Sequence, residues 1–259
     1  TLHDTLFPYT TLFRSAAFVG MLVTALLPVV VTAVLLWFVV VLPTVWWIAG
    51  TIFFVLFAVT MQVVYPRAIA PMFNDFEPIE AGELRTAVES VFDRAGFTCD
   101  ELYTMDASRR SSHLNAYFVG FGHTKRVVLF DTLVDRLDLD EIQAVLAHEL
   151  AHWKRHHVWK QLGGSTLRVG LMLVMLWYLI EQSWLYAMFG IPEQAVYAGL
   201  FLGLLFVTPL LRLTAPIENR LSLRHEREAD RFTVSVLETG EPMIGALEMY
   251  HPDLFLGME

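Results

Sequence analysis

The chain has 259 residues, 55% hydrophobic and only 17% charged, with a net charge of −9 and a mean hydropathy of +0.50. Soluble domains carry about 25% charged residues, so this balance excludes a disordered chain and argues against an ordinary soluble enzyme. The acidic charge gives no footing to nucleic-acid binding, and a single cysteine, Cys99, excludes a disulfide framework or a Cys-ligated metal cluster.

In chain order, residues 1–15 come first; Thr5 to Ser15 matches the translation of a common sequencing-library adapter and is expected to be a non-native leader. From Ser15 to Pro66 there is no Asp, Glu, Lys, Arg or His. About 20 apolar residues span a bilayer core, so two membrane spans are expected, 17–42 and 45–64, hinged at Pro43-Thr44. The run is too long, and does not stop, for a secretory signal.

Residues 80–95 carry apolar side chains at helical spacing and predict an amphipathic helix. Segments 115–120 and 126–130 are β-rich and separated by Phe121-Gly122-His123-Thr124-Lys125, a hairpin signal. Asp138-Leu139-Asp140-Glu141 then offers a helix cap and first-turn acids ahead of a helix over 142–157. Two further apolar stretches, 169–190 and 194–211, flank a loop around Ile191-Pro192-Glu193 and predict a third and a fourth span.

The expected class is therefore mainly α: a multi-pass integral membrane protein with a membrane-associated polar region that contains a small β-hairpin. The expected layout is a leader at 1–15, two spans in 16–66, a polar region at 67–161, two spans in 162–213, and an acidic helix with the chain end in 214–259. Lys154, Arg155, Lys160 and Arg168 precede the third span, and Arg212, Arg220 and Arg224 follow the fourth. The loop between those spans holds no Lys or Arg, so the positive-inside rule puts the polar region and the C-terminal segment together on the cytoplasmic side.

The 142–157 helix carries His148-Glu149-Leu150-Ala151-His152. Residues four apart share a helix face, so both imidazoles can bind one Zn²⁺, while Glu149 can take a proton from water at that metal. The bland alternative is an amphipathic helix whose histidines face water or lipid headgroups. A catalytic zinc takes a third protein ligand and leaves one position open. Glu226-Arg227-Glu228-Ala229-Asp230 offers candidates: Glu226 and Asp230 share a face, and Glu228 points roughly 160–200° away from it, toward solvent or a local Arg. One of the paired carboxylates can bind zinc and the other can hydrogen-bond a ligand imidazole. His156 and His157, one turn past His152, can join a polar network, and His113 can reach a substrate. His225 and His251 have no assigned role. Trp153 is expected to pack or to anchor at the membrane interface.

With these blocks in hand, the chain resembles the type I CAAX prenyl endopeptidases, membrane-embedded zinc metalloproteases, from about Val64 to Leu237. The resemblance includes Tyr65-Pro66, Pro71-Met72-Phe73-Asn74, Asp106-Ala107-Ser108-Arg109-Arg110-Ser111-Ser112-His113, Asn115-Ala116-Tyr117-Phe118 and the run from Arg126 to Leu133. It continues with His148 to Trp153 and closes with Asn219, Ser222, Glu226, Ala229 and Asp230. The resemblance implies seven spans around a water-filled intramembrane chamber, of which four are legible here, and makes the polar region with its β-hairpin a membrane-associated, zincin-type protease domain. It implies one Zn²⁺ per chain held by His148, His152 and Glu226, Glu149 as the base, Asp230 hydrogen-bonded to a ligand, and substrate laid along Asn115, Ala116 and Tyr117. Ala151 stands where the family has Gly, and Leu223 where it has Arg after Ser222. The family's downstream Ser-His-Pro-Pro…Arg element is not matched, since Tyr250-His251-Pro252 comes too soon.

The expected function is thus a membrane-embedded zinc metalloendopeptidase acting on a peptide or lipidated peptide, resembling the enzymes that remove the C-terminal tripeptide of prenylated CAAX proteins. The bilayer is an expected partner and nucleic acid is not. The expected location is a bacterial inner membrane or an endoplasmic reticulum membrane. The alternatives are a bacterial quality-control metalloprotease for membrane proteins and a non-catalytic scaffold stabilised by zinc; Glu149 argues against the scaffold, because a structural site needs no base. A transporter would place ionisable groups inside spans, and only Arg168 and Glu181 come near that.

Overall fold

A computed structural model describes residues 25–99, 101–109, 113–119, 125–192 and 194–250. The adapter-like leader, most of the Phe121–Lys125 turn, His251 and the final residues lie outside them. The described chain divides into two compact units, one formed by residues up to 62 with 162–215, the other by 63–161 with 216 onward.

The first unit is all helix: α1 (Ala25–Val41), most of α2 (Trp46–Val64), the apolar length of α6 (His157–Ile180), α7 (Ser183–Met188) and α8 (Val196–Arg212). Within the described residues the first two predicted spans, 17–42 and 45–64, overlap α1 and α2; residues 17–24 of the first lie outside them. Pro66 has no N–H to continue the ladder, and the helix passes through a π turn at Tyr65–Ile69 and a 3₁₀ turn at Ala70–Met72. The third predicted stretch began late and ran too far. Its helix starts at His157, since Lys160 and Arg168 are tolerated within it, and stops at Ile180 before the polar pair Glu181-Gln182; α7 is a separate element. Trp46, Leu173, Leu176, Val207 and Leu211 form the unit's buried core. Trp46–Met72 and His157–Ile180 are long and apolar enough to cross a membrane, and α8 with α9 (Ala215–Leu237) makes a third if the two count as one broken span.

The second unit holds a four-stranded mixed sheet. Its order is β1 (Phe76–Pro78), β2 (Glu101–Met105), β4 (Arg126–Phe130), β3 (Ala116–Val119). β3 and β4 form the expected antiparallel hairpin, with Tyr117 opposite Val128. β2 runs parallel to β4, with Tyr103 opposite Val128, and β1 caps that side. Because both sheet faces are covered, β4 reads as an unbroken apolar run rather than an alternation. Val127 and Leu129 pack with Val88, Val91 and Phe92 of α3 (Glu83–Ala95) and with Leu146 and Leu150 of α5 (Leu139–Lys154), while Val128 packs with Met105 and Ala107 on the opposite face.

Helix α3 starts three residues later than its predicted 80–95 range and ends where Gly96 takes a left-handed φ of 61°. The Phe97 N–H then donates to the Phe92 carbonyl at 2.8 Å, closing the last turn. A short α4 (Asp131–Arg136) precedes α5, which opens on a capping box between Asp138 and Glu141. The predicted 142–157 helix is in fact two. The helix breaks at His156, held at a left-handed φ of 55°, between α5 and α6. Histidine tolerates that region better than most residues. Trp153 packs inward, its ring 5.1 Å from that of Phe97. The C-terminal helix α10 (Glu241–Tyr250) buries Ala246 in the same core as Val236 of α9.

Candidate metal centre

Helix α5 turns Ile142, Val145, Leu146 and Leu150 into the core, which fixes its rotation. His148 and His152 thereby emerge together on another face, with their Nε2 atoms 3.2 Å apart. Helix α9 is set by Ala229, Thr233 and Val236 on its buried face. That rotation brings Glu226 Oε2 to 3.2 Å from His148 Nε2 and 3.6 Å from His152 Nε2.

Three donor atoms thus form a nearly equilateral triangle with edges of 3.2, 3.2 and 3.6 Å. A tetrahedral metal bonded at about 2.0–2.1 Å separates its ligands by about 3.3 Å. The residues therefore fit such an ion, with two neutral nitrogens and one anionic oxygen as donors and one tetrahedral position left for solvent or substrate. Among the described residues, His148, His152 and Glu226 are the group whose ligand atoms converge in this way.

The surroundings suit that donor set. Burial, followed by the neighbouring His148, holds the His152 imidazole below the usual histidine range, which keeps it neutral and able to donate a lone pair. Glu149 is half-buried. Burial pushes its carboxyl above the usual range; His148 opposes this and Glu226 adds to it. A carboxylate with raised proton affinity, next in sequence to one of the three converging donors, is equipped to accept a proton.

Asp230 Oδ1 lies 3.2 Å from His148 Nδ1. The nitrogen is buried and no acceptor aligns with it as a hydrogen bond, so Asp230 is the nearby carboxylate that a small rotation would engage. Glu228 was expected to face solvent or a local Arg. It does pair with Arg224, whose Nε donates to Oε1 at 3.0 Å, but its other oxygen stands 3.3 Å from His157 Nε2. Because α6 starts directly after the His156 turn, His157 folds back onto the site. Its Nδ1 is 3.0 Å from His152 Nδ1, and the His225 ring stacks on it at 4.2 Å. Sequence reasoning gave His225 no role; its position one residue before Glu226 was the available signal.

Asn115 is exposed and immediately precedes β3. It takes part in the sheet through its carbonyl, which accepts the Phe130 N–H at 3.0 Å. Ala116 is buried and Tyr117 half-buried, the phenol pushed up to about 12 by burial and the nearby Tyr65. β3 is a terminal strand of the sheet, and its outer edge pairs with no strand among the described residues. Thr132 Oγ donates to the His113 carbonyl at 2.8 Å.

Comparison with known proteins agrees with this arrangement. Residues 78–256 match the family model described as peptidase family M48, and residues 8–75 match the CAAX prenyl protease N-terminal model, described as five membrane helices. CAAX prenyl protease 1 of Saccharomyces cerevisiae is 36% identical over 202 residues, 72% of this chain and 44% of that protein. The uncharacterized metalloprotease YhfN of Bacillus subtilis is 30% identical over 201 residues, 77% of this chain and 47% of its own. The crystal structure of S. mikatae Ste24p is similar with a TM-score of 0.81 at 30% identity, covering 95% of this chain and 62% of that one. The chain thus spans less than half the length of the two curated relatives.

Proposed function

Since the chain belongs to peptidase family M48 and is an integral membrane protein, we propose that it carries the zinc centre of a membrane metalloendopeptidase, with His148, His152 and Glu226 as ligands and Glu149 as general base. The observation that carries this is the 3.2, 3.2 and 3.6 Å triangle of donor atoms, with Glu149 adjacent in sequence to one of its corners. When bound, zinc would act as a Lewis acid that polarises a peptide carbonyl and acidifies water. Glu149 Oε takes the proton of the attacking water and returns it to the leaving amine. The open edge of β3 offers N–H and C=O groups to an extended peptide, so a substrate can add as a further strand along Asn115, Ala116 and Tyr117. Asp230 steadies His148 from the side away from the donor triangle.

For the substrate, the relatives named CAAX prenyl protease 1 support a prenylated C-terminal peptide. A peptide substrate without a prenyl group is the second reading, since the name of the Bacillus relative specifies a metalloprotease and no prenyl group. The basic residues flanking α6 and α8 support a cytoplasmic site. The test is cleavage, by the detergent-purified chain, of a farnesylated CAAX peptide and of its unprenylated twin, with and without chelator. Chelator-sensitive cleavage that needs the prenyl group supports the first reading, and equal cleavage of both peptides the second. Cleavage indifferent to chelator would overturn the metal chemistry.

A further inference from the structure

Each ligand histidine has a carboxylate behind it, but the two are reached differently. Asp230 approaches His148 directly, whereas Glu228 stands behind His152 one imidazole away. We propose that Glu228, acting through His157, fixes the tautomer of His152 and so presents its Nε2 lone pair to the metal; this rests on the ligand assignment above.

A carboxylate only accepts. Glu228 Oε1 already accepts from Arg224 Nε at 3.0 Å, and Oε2 faces His157 Nε2 at 3.3 Å, so that nitrogen carries the proton. His157 is 3% exposed, and its Nδ1 faces His152 Nδ1 at 3.0 Å. In a neutral ring protonated at Nε2, Nδ1 holds a lone pair and accepts. The proton between the two rings therefore belongs to His152 Nδ1. That leaves His152 Nε2 bare, aimed at the point where His148 Nε2 and Glu226 Oε2 converge. The opposite tautomer would place a hydrogen in the metal position and set a lone pair of His157 against a carboxylate.

Two local features hold the relay. The left-handed turn at His156 directs His157 back onto the end of α5, and the His225 ring stacks on it at an interplanar angle of 16°. Glu228 is clamped by Arg224 one turn earlier on its own helix. The sequence pattern His-His at 156–157 with Glu228 two residues past Glu226 is thereby used in full. Glu228 and His157 are positioning residues: neither converges on the metal point.

The experiment uses the full chain in detergent and measures zinc affinity by chelator competition, with the Co²⁺ visible spectrum as a second readout. Glu228→Gln retains a carbonyl acceptor for His157 Nε2–H and should keep affinity within about threefold. Glu228→Leu removes the acceptor and should lose about 10–100-fold. Glu228→Lys offers only donors, reverses both tautomers and should bind worst, with an altered Co²⁺ spectrum. Thermal unfolding of the metal-free variants controls for a purely structural effect, which would lower their midpoint and would not be rescued by Gln. If Glu228→Leu and Glu228→Lys bind zinc within threefold of the parent while Glu226→Ala has lost it, the relay is wrong and the ligand set stands. If Glu226→Ala also keeps its zinc, the ligand assignment itself falls.

Discussion

His148 Nε2 and Glu226 Oε2 stand 3.2 Å apart although 78 residues separate them in the chain. Neither helix makes that contact by itself. α5 is rotated by the side chains it buries beneath the sheet, and α9 by Ala229, Thr233 and Val236. The distance is the outcome of two independent packing decisions, so it reports on the register of both helices.

Register gives the first expected outcome. Glu226→Ala should come out of equal dialysis nearly free of zinc, because two imidazoles alone leave the ion short of its anionic ligand. Asp230→Ala should weaken zinc binding by about 10–100-fold, since in the proposed assignment it orients a ligand and does not provide one. Metal analysis of the two purified variants beside the parent decides this. An Asp230 variant emptier than the Glu226 variant would mean that the two carboxylates have exchanged roles.

Glu149→Gln separates binding from chemistry. The amide fills the same space and leaves His148, His152 and Glu226 untouched, so zinc content should stay near one per chain. Peptide hydrolysis should fall by at least the 10²–10⁴-fold typical of losing a general base. Turnover at the parent rate would take Glu149 out of the mechanism.

Much of this arrangement was legible in the sequence because it depends on short-range periodicity. The i,i+4 spacing of His148 and His152 guarantees a shared face once a helix forms, and the β3–β4 hairpin follows from two β-rich runs around a five-residue turn. The parallel pairing of β2 with β4 was not legible. Those strands are five residues each, and no local pattern announces a partner more than twenty residues away. The missed break at His156 has a similar origin, since a left-handed residue without Gly or Asn leaves no compositional mark. It also explains why Glu228 was expected to face solvent. A helix continuing unbroken past Lys154 would not have returned His157 to the site, and nothing would have stood opposite that carboxylate.

The depressed proton affinity of His152 has a measurable sign. A protonated imidazole cannot bind a metal, so zinc affinity should fall as pH falls. Burial and the neighbouring His148 hold His152 below the ordinary value of about 6.5, so its share of that fall should come only on the acid side of 6.5. Chelator-competition measurements from pH 8 to pH 5 should therefore be nearly flat above pH 7 and steepen below it. A steep loss between pH 8 and pH 7 would contradict an imidazole that is already neutral there.

Asp131 carries the last expectation, which concerns stability and not chemistry. Its Oδ1 accepts the Ser108 N–H at 2.9 Å and the Thr132 N–H at 2.7 Å, and its Oδ2 accepts the Ser108 hydroxyl at 2.5 Å. These bonds tie the start of α4 to the turn that follows β2. Partial burial would raise the carboxyl's proton affinity, but the donors from Ser108, Thr132 and Ala107 outweigh it and hold it below the usual carboxylate range. A folded-state value below the unfolded one, about 3.9, means that the ionised form favours the native state. The stabilisation is thus fully present above pH 4 and is lost as pH falls through the folded value. Asp131→Asn turns an NH₂ toward one of those donors and should cost about 1 kcal/mol at pH 7, with solvent access keeping the loss at the low end for a charged acceptor. Denaturant unfolding of parent and variant at pH 7 and at pH 3 should show the gap narrowing in acid. A gap that stays constant or widens would mean that the Ser108 bonds do not depend on the charge.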